Sequence, residues 1–333
     1  MRSGDKMSTK NKVLELLEKN RGRHLSGEVI AGRLNISRSA VWKAINSLKQ
    51  DGYDIQAMTN RGYFLSSKSN ILSIQGLFPF LLNESYAEKI NVYKSLESTN
   101  KTAKEMALKG CEHGTVVITD HQTAGKGRFG RSFYSPPESG LYMSIILRPG
   151  FINLPSVTMI TSATAVVVCR AVQTVTGQNP GIKWVNDILL NDKKICGILT
   201  EAVTDFESGG VEWIVVGIGI NINTTDFPGD LNEIAASIVP YQMAGSVRNR
   251  LAAEIVNSFL SSDTWINNKD VFTEYKSKLA MLGSKVTVNS GNETFEAVAL
   301  DIDEACRLIV QKENGKTLVL SSGEVSIKRI PGT

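Results

Sequence analysis

Histidine is nearly missing from this chain: His24, His113 and His121 are the only three in 333 residues, and they share no ligand spacing. That argues against a structural metal site. Cysteine is sparse too. Cys111, Cys169, Cys196 and Cys306 form no Cys-x-x-Cys pair, and Cys169 and Cys196 lie among apolar neighbours, the pattern of buried reduced thiols and not of a disulfide framework. Long apolar runs are also lacking. In the helix expected over Val157–Gly177 the longest unbroken one is Ala165–Cys169, ended by Arg170, too short to span a bilayer. The first residues mix Arg2, Asp5 and Lys6 and have no apolar signal core. A soluble cytoplasmic protein with no membrane partner is expected.

What is present is an ordinary globular composition, 42% hydrophobic and 21% charged, in a chain long enough for two or three domains. The charge is uneven. Residues 1–66 hold twelve Lys/Arg against six Asp/Glu, an excess of six where the whole chain carries +4. Within this basic end Val13, Leu14, Leu16 and Leu17 mark one helix face, and Ser26 can cap a second helix carrying Val29, Ile30 and Leu34. Ser37 can cap a third, whose inward side is Val41, Ile45 and Leu48. Its outward side offers Arg38, Ser39, Trp42, Lys43 and Asn46, a set able to meet phosphates and base edges in a major groove. Gly52–Leu65 alternates like a hairpin turning at Asn60-Arg61-Gly62. Helix-turn-helix plus hairpin resembles the winged-helix family, in which a cation such as Arg61 at the wing tip would reach DNA. The same module could serve protein contact or dimerisation, but the charge excess favours nucleic acid. Ser66–Asn70 reads as a polar linker.

The most informative stretch follows. Thr115–Thr119 is strand-like and empties into a loop where Gly125, Gly127 and Gly130 alternate with Lys126, Arg128 and Arg131. Glycines allow close backbone approach, and the cations supply donors to a phosphate. Gly125-x-Gly127-x-x-Gly130 fits a dinucleotide fingerprint only if a helix begins there, and Ser135-Pro136-Pro137 comes almost at once. The Walker pattern fails because Asp120 stands at its upstream glycine. Kinase catalytic-loop signatures are absent from the sequence. An anion cradle or a basic surface hairpin remains.

The stretch Gln122-x-x-Gly-Lys-Gly-Arg-Phe-Gly-Arg131 is similar to the basic loop of biotin protein ligases, with Lys126 where the family more often has arginine. Ser98-Thr99-Asn100, Lys183-Trp-x-Asn-Asp187, Lys194-x-x-Gly-Ile-Leu-x-Glu201 and Trp213–Asn221 resemble further motifs of that family, in the same order. Val185 replaces a common proline, and Phe133 stands where some relatives have tryptophan. After helices near Val247–Phe259 and Val271–Leu282, strands Lys285–Asn289, Glu293–Asp301, Leu308–Gln311 and Thr317–Leu320 suggest a small barrel. The expected fold is α+β. It comprises a winged helix-turn-helix over 1–66, a mixed α/β biotin/lipoate-ligase-like catalytic domain over 67–282, and an SH3-like barrel over 283–333.

The resemblance implies a bifunctional protein: an ATP-dependent biotin protein ligase and a biotinyl-adenylate-dependent repressor of biotin genes. Arg128, Lys183 and Lys194 would be the catalytic cations. Ser98, Thr99, Asn100, Gln122, Lys126 and Gly127, with Arg128 and Lys194, would surround biotin, and Gly140–Ser144 would wall its side chain. Arg128, Arg131, Phe133, Asn186, Asp187, Gly217, Gly219 and Asn221 would surround the nucleotide, with Mg2+ arriving on ATP and no metal held by the protein alone. For Ser98 and Thr99 a plain helix cap is the alternative, and for Gly217 and Gly219 strand-end packing. Implied partners are a biotin carboxyl carrier protein, operator DNA and a second copy of the chain. A lipoate or octanoate ligase, and a ligand-sensing regulator without ligase activity, are the competing readings.

Overall fold

Alternating apolar residues close into three sheets in the computed structural model, which describes residues 7–149, 157–204, 211–238, 246–261, 269–290 and 293–327. The N-terminal head is built from α1 (Thr9–Lys19), β1 (His24–Leu25), α2 (Gly27–Leu34), α3 (Arg38–Gln50), β2 (Ile55–Met58) and β3 (Gly62–Leu65). Ser26 Oγ accepts from the Val29 amide at 3.1 Å and Ser37 Oγ from Ala40 at 3.2 Å, so both helices start where their capping hydroxyls stand. Val41, Ile45 and Leu48 pack on Val13, Leu14 and Leu17. The other side of α3 is left to solvent: Arg38, Ser39, Trp42 and Lys43 are exposed, Asn46 is half-buried, and Arg61 is exposed at the hairpin tip. Trp42 keeps 59% of its surface open, unusual for an indole that helps no core.

The polar stretch after β3 is not loose. Arg21, itself paired with the buried carboxylate of Glu18, donates to the carbonyls of Ser66 (3.1 Å) and Ser69 (2.7 Å). Asn249 donates to Ile71 O at 2.9 Å and accepts from Ser73 N at 3.2 Å. Composition indicated a linker because Ser, Lys and Asn side chains pack poorly. The segment is fastened through its backbone, which composition does not report.

In the body, α4 (Ile74–Leu77) precedes β4 (Ile90–Tyr93), α5 (Thr99–Leu108), β5 (Val116–Thr119), β6 (Gly140–Leu147) and α6 (Val157–Thr176). Then come β7 (Gly181–Lys183), β8 (Asp187–Leu190), β9 (Lys193–Thr204), β10 (Val211–Asn221), α7 (Leu231–Ile234), α8 (Val247–Leu260) and α9 (Lys269–Lys278). The seven strands lie in the order β4-β5-β6-β10-β9-β8-β7, antiparallel except for β4 with β5. Successive side chains point to opposite faces. Val116, Ile118, Ile145, Ile214 and Val216 share a core with α6 and α8, while Val117, Ile146, Trp213 and Val215 are covered by Ala103 and Ala107 of α5. By length and composition α6 could cross a bilayer, yet Ile160–Cys169 is buried in this core throughout.

The stretch Gly181–Leu190 forms two strands and not one. A turn at residues 184–186 folds Lys183 back opposite Asp187. Trp184 is the anchor of that turn, its ring buried and its Nε1 donating to Cys306 O at 2.9 Å. The last sheet contains β11 (Lys285–Ser290), β12 (Glu293–Ile302), β13 (Leu308–Lys312), β14 (Thr317–Leu320) and β15 (Glu324–Ile327), antiparallel in the order β14-β13-β12-β11-β15. Four of these strands were legible as apolar runs. β15 was not, since Glu324–Ile327 carries only two apolar residues where the equally short β14 carries three in a row. All four cysteines are free.

Candidate active site

The site begins with two glycines. β9 and β10 run side by side with Leu199 opposite Gly217 and Gly197 opposite Gly219. A β-carbon on Gly217 would lie 2.1 Å from Asn100 Oδ1, and one on Gly219 would lie 2.6 Å from the Phe133 ring. Bare backbone at these two positions therefore lets the first turn of α5 and the Phe133 ring rest on the sheet.

Asn100 is locked from every side. Its amide nitrogen donates to Leu199 O (3.2 Å) and Glu201 Oε2 (2.8 Å), and its oxygen accepts from Ser144 Oγ (2.6 Å). Lys104 holds the other Glu201 oxygen at 2.8 Å. Burial acts to raise the Glu201 carboxyl, but hydrogen bonds from Lys104 and Asn100 and the charges of Lys104 and Lys126 outweigh it and hold the group below its ordinary value.

The start of α5 is capped by a residue far from it. Ser98 occupies the N-cap position but makes no capping bond. Instead Gln122 Oε1 accepts from Thr99 N (2.9 Å) and Thr99 Oγ1 (3.2 Å), while Gln122 Nε2 donates to Ser135 Oγ (2.9 Å). Ser98 is buried against the cleft with its hydroxyl uncommitted among the described residues, so the plain helix-cap alternative does not fit it.

Over this floor hangs the basic loop, closed on itself by Gly127 N to Arg131 O (2.8 Å) and Phe133 N to Gly125 O (2.9 Å). Arg128 turns inward, donating through Nη1 to Asn186 Oδ1 (2.9 Å) and to Gly323 O (3.3 Å) of the C-terminal sheet. Burial pushes its guanidinium down from the ordinary value, opposed by the charges of Asp187 and Glu324. On the far wall Lys194 Nζ lies 2.6 Å from Asp187 Oδ1. Arg128, Lys126 and Lys194 line one open cleft together with Ser98, Thr99, Asn100, Gln122, Gly127, Phe133, Asn186, Gly217 and Gly219. Three cations beside a row of neutral donors and acceptors form a place for an anion attached to a polar, uncharged group.

A relative from Bacillus subtilis, named bifunctional ligase/repressor BirA, is 34% identical over 320 residues that span 93% of this chain and 96% of that protein. The chain belongs to the biotin/lipoate A/B protein ligase family. That family's model matches residues 92–221, a helix-turn-helix domain model matches 9–64, and a biotin protein ligase C-terminal domain model matches 281–328. A biotin–[acetyl-CoA-carboxylase] ligase of Mycobacterium tuberculosis is 29% identical over 71% of this chain and 88% of its own length. In fold, the chain is similar to a biotin protein ligase from Aquifex aeolicus solved in complex with biotin and ATP, with a TM-score of 0.60 and 24% identity over 72% of this chain and 99% of that one.

Not every residue singled out from the biotin/lipoate ligase motifs reaches the cleft. Lys183 lies on β7 opposite Asp187 and is not among the lining residues. Arg131 points outward to an ion pair with Glu324. Asn221 ends β10 opposite Gly140, buried, its carbonyl accepting from Ile238 N at 3.0 Å. Asp187 stands behind Lys194, and Gly140–Ser144 lies beneath the floor, where Ser144 supports Asn100. Conversely Gly197, Ile198, Leu199 and Ile218 line the cleft, and Glu201 and Lys104 brace it from behind. Nothing local in the sequence pairs Lys104 with Glu201. The four cleft residues between Lys194 and Gly219 follow from the β9–β10 register once the motif glycines are taken as its floor.

Proposed function

We propose that this protein joins biotin to a lysine of a biotin carboxyl carrier protein at the expense of ATP, and that its head makes it a repressor of biotin genes. The observation that carries the reading is the convergence of Arg128, Lys126 and Lys194 on a cleft whose remaining polar groups are neutral. Biotin is a carboxylate with a neutral ureido ring. Bringing that carboxylate to a triphosphate is opposed mainly by charge, and fixed cations remove the opposition.

In the proposed first step a biotin carboxylate oxygen attacks the α-phosphorus of ATP, forming biotinyl-adenylate as pyrophosphate leaves. Arg128 holds the carboxylate and α-phosphate together, Lys194 follows the developing charge, and Lys126 widens the positive field. Ser98, Thr99 and Gln122 meet the ureido ring, and Asn100, both of whose amide hydrogens are spent on Leu199 and Glu201, positions this wall. Phe133, Asn186, Gly217 and Gly219 face the nucleotide. Lys183, Asp187, Arg131 and Asn221 act from behind or beside the cleft. In the second step the carrier lysine amine attacks the biotinyl carbonyl carbon and AMP leaves. No protein nucleophile is needed. Mg2+ is proposed to arrive on the ATP phosphates: among the described residues no three His, Cys, Asp or Glu are gathered to hold it.

The reading takes 1–66, 67–282 and 283–333 as three units, the last closing as an SH3-like barrel, in a cytoplasmic protein that dimerises when biotinyl-adenylate is bound. Paired heads then present two copies of Arg38, Ser39, Trp42, Lys43, Asn46 and Arg61 to a two-fold operator. ATP–pyrophosphate exchange tests the chemistry: it should require biotin, and exchange that is absent with biotin, or equal with lipoate, would remove the proposal.

A further inference from the structure

We propose that Arg248, which no cleft motif contains, is a positioning residue that fastens both ends of the basic loop and ties them to the segment carrying the N-terminal head. The proposal rests on the reading that this loop binds biotin and ATP.

Arg248 stands on α8 with its side chain 1% exposed. A guanidinium taken out of water is tolerated only when its donors are used. Here each arm has a separate partner. Nε donates to Gly140 O at 2.8 Å, Nη1 to Asn70 O at 3.2 Å, and Nη2 to the carboxylate of Asp120. The same Asp120 oxygen accepts from Glu138 N at 3.2 Å, and Glu138 O accepts from Asn70 Nδ2 at 3.1 Å. The bonds close a ring: Arg248, Asp120, Glu138, Asn70 and back to Arg248.

The positions in that ring matter more than its size. Asp120 is the last residue before the loop that carries Gln122, Lys126, Gly127, Arg128 and Phe133, and Glu138 and Gly140 stand at its exit. Neither end can shift without breaking a charge-assisted bond or dragging Asn70. Asn70 closely follows Ser66 and Ser69, whose carbonyls are held by Arg21 of the head. One short piece of backbone is thus gripped by an arginine from each side, so that a shift of either loop end is passed to the seat of the head. The coupling is reciprocal, because any free energy that links two sites acts in both directions.

Two variants of the full-length protein separate this from a general packing role. Arg248→Lys keeps a charge for Asp120 but cannot span three partners, and Asn70→Ala cuts only the Glu138 link at a half-buried side chain. Amide hydrogen exchange of the unliganded proteins is followed over residues 66–73 and 120–140, with strands β9 and β10 as the internal standard. In Arg248→Lys both segments should exchange faster together by roughly tenfold or more, the factor that a lost hydrogen bond to a charged group carries, with β9 and β10 unchanged. The biotin concentration for half-maximal pyrophosphate exchange should rise by a similar factor, while the carrier concentration for half-maximal transfer stays within about twofold. Asn70→Ala should speed exchange at residues 138–140 by a smaller factor, and should Arg248→Lys not fold, Asp120→Asn, which removes the charge that Arg248 Nη2 meets, is read in its place with the same expected outcome at 120–140. Faster exchange throughout the sheet, or unchanged exchange at both loop ends, would overturn the proposal. Wild-type protein without biotin-dependent pyrophosphate exchange would instead remove the functional reading, and the unliganded exchange data would still stand.

Discussion

The amide of Asn100 lies directly on Gly217, so that a β-carbon there would come within 2.1 Å of Oδ1. Gly217→Ala must therefore push Asn100 off Ser144 and Glu201, and at least one buried hydrogen bond is lost at about 1–3 kcal/mol. Half-saturation by biotin is expected to rise roughly ten- to hundredfold. Titration of biotin into the variant reads this directly, and unchanged affinity would mean that the Asn100 wall does not shape the pocket.

Arg128 is tethered to Asn186 and Gly323 O, the body on one side and the C-terminal sheet on the other. Arg128→Gly removes the cation that holds the anhydride phosphate and cuts both tethers. The adenylate should then escape, and biotin labelling of lysines on bystander proteins, read by streptavidin blot, should rise. Leakage equal to wild type with normal carrier transfer would contradict the role.

For Lys194→Ala the expected loss is in adenylation. Removing one charged stabiliser of a transition state typically costs about 10²–10³ in kcat, so biotin-dependent pyrophosphate exchange should fall by that order. Exchange close to wild type would reduce Lys194 to the ion-pair partner of Asp187.

Glu201 gives a pH dependence with a definite sign. Its carboxyl is held below the ordinary value of 4.5, with burial opposing and Lys104, Asn100 and Lys126 prevailing. The unfolded chain therefore binds this proton first as pH falls. Stability from Glu201 is fully present above about 4.5 and is lost as pH drops through the lowered folded value. Urea unfolding of wild type and Glu201→Gln at several acid pH values should show a shallower slope for the variant; parallel slopes would count against the assignment.

On the head, Trp42→Ala and Lys43→Ala change exposed residues and should leave thermal stability nearly unaltered. With operator DNA selected from a random pool, loss of a phosphate contact by Lys43 should lower the salt slope of binding by about one. Unaltered affinity in both variants would assign α3 to another task.

Local chemistry was readable before any coordinates. Ser26 and Ser37 announce the helices they cap, Val41, Ile45 and Leu48 announce a buried stripe, and the alternation around Asn60–Gly62 announces a hairpin. Contacts across long separations were not: Asn100 meets Glu201 101 residues away, and Arg128 meets Gly323 195 away. Such pairs leave no period in the sequence. Lys183 illustrates a different gap. The motif it shares with Asn186 spans the turn at 184–186, which leaves Lys183 on β7 outside the cleft lining while Asn186 reaches it. At Ser66–Asn70 side-chain composition pointed to freedom, and backbone carbonyls held by Arg21 and Arg248 set the outcome.

The most direct measurement is transfer of radiolabelled biotin to a biotin carboxyl carrier domain by purified full-length protein, with and without ATP and with excess unlabelled lipoate. Label should appear on the carrier lysine only with ATP, be displaced by unlabelled biotin and be untouched by lipoate. Transfer without ATP, or label lost to lipoate as readily as to biotin, would contradict the claim that the cations of this cleft join biotin to ATP.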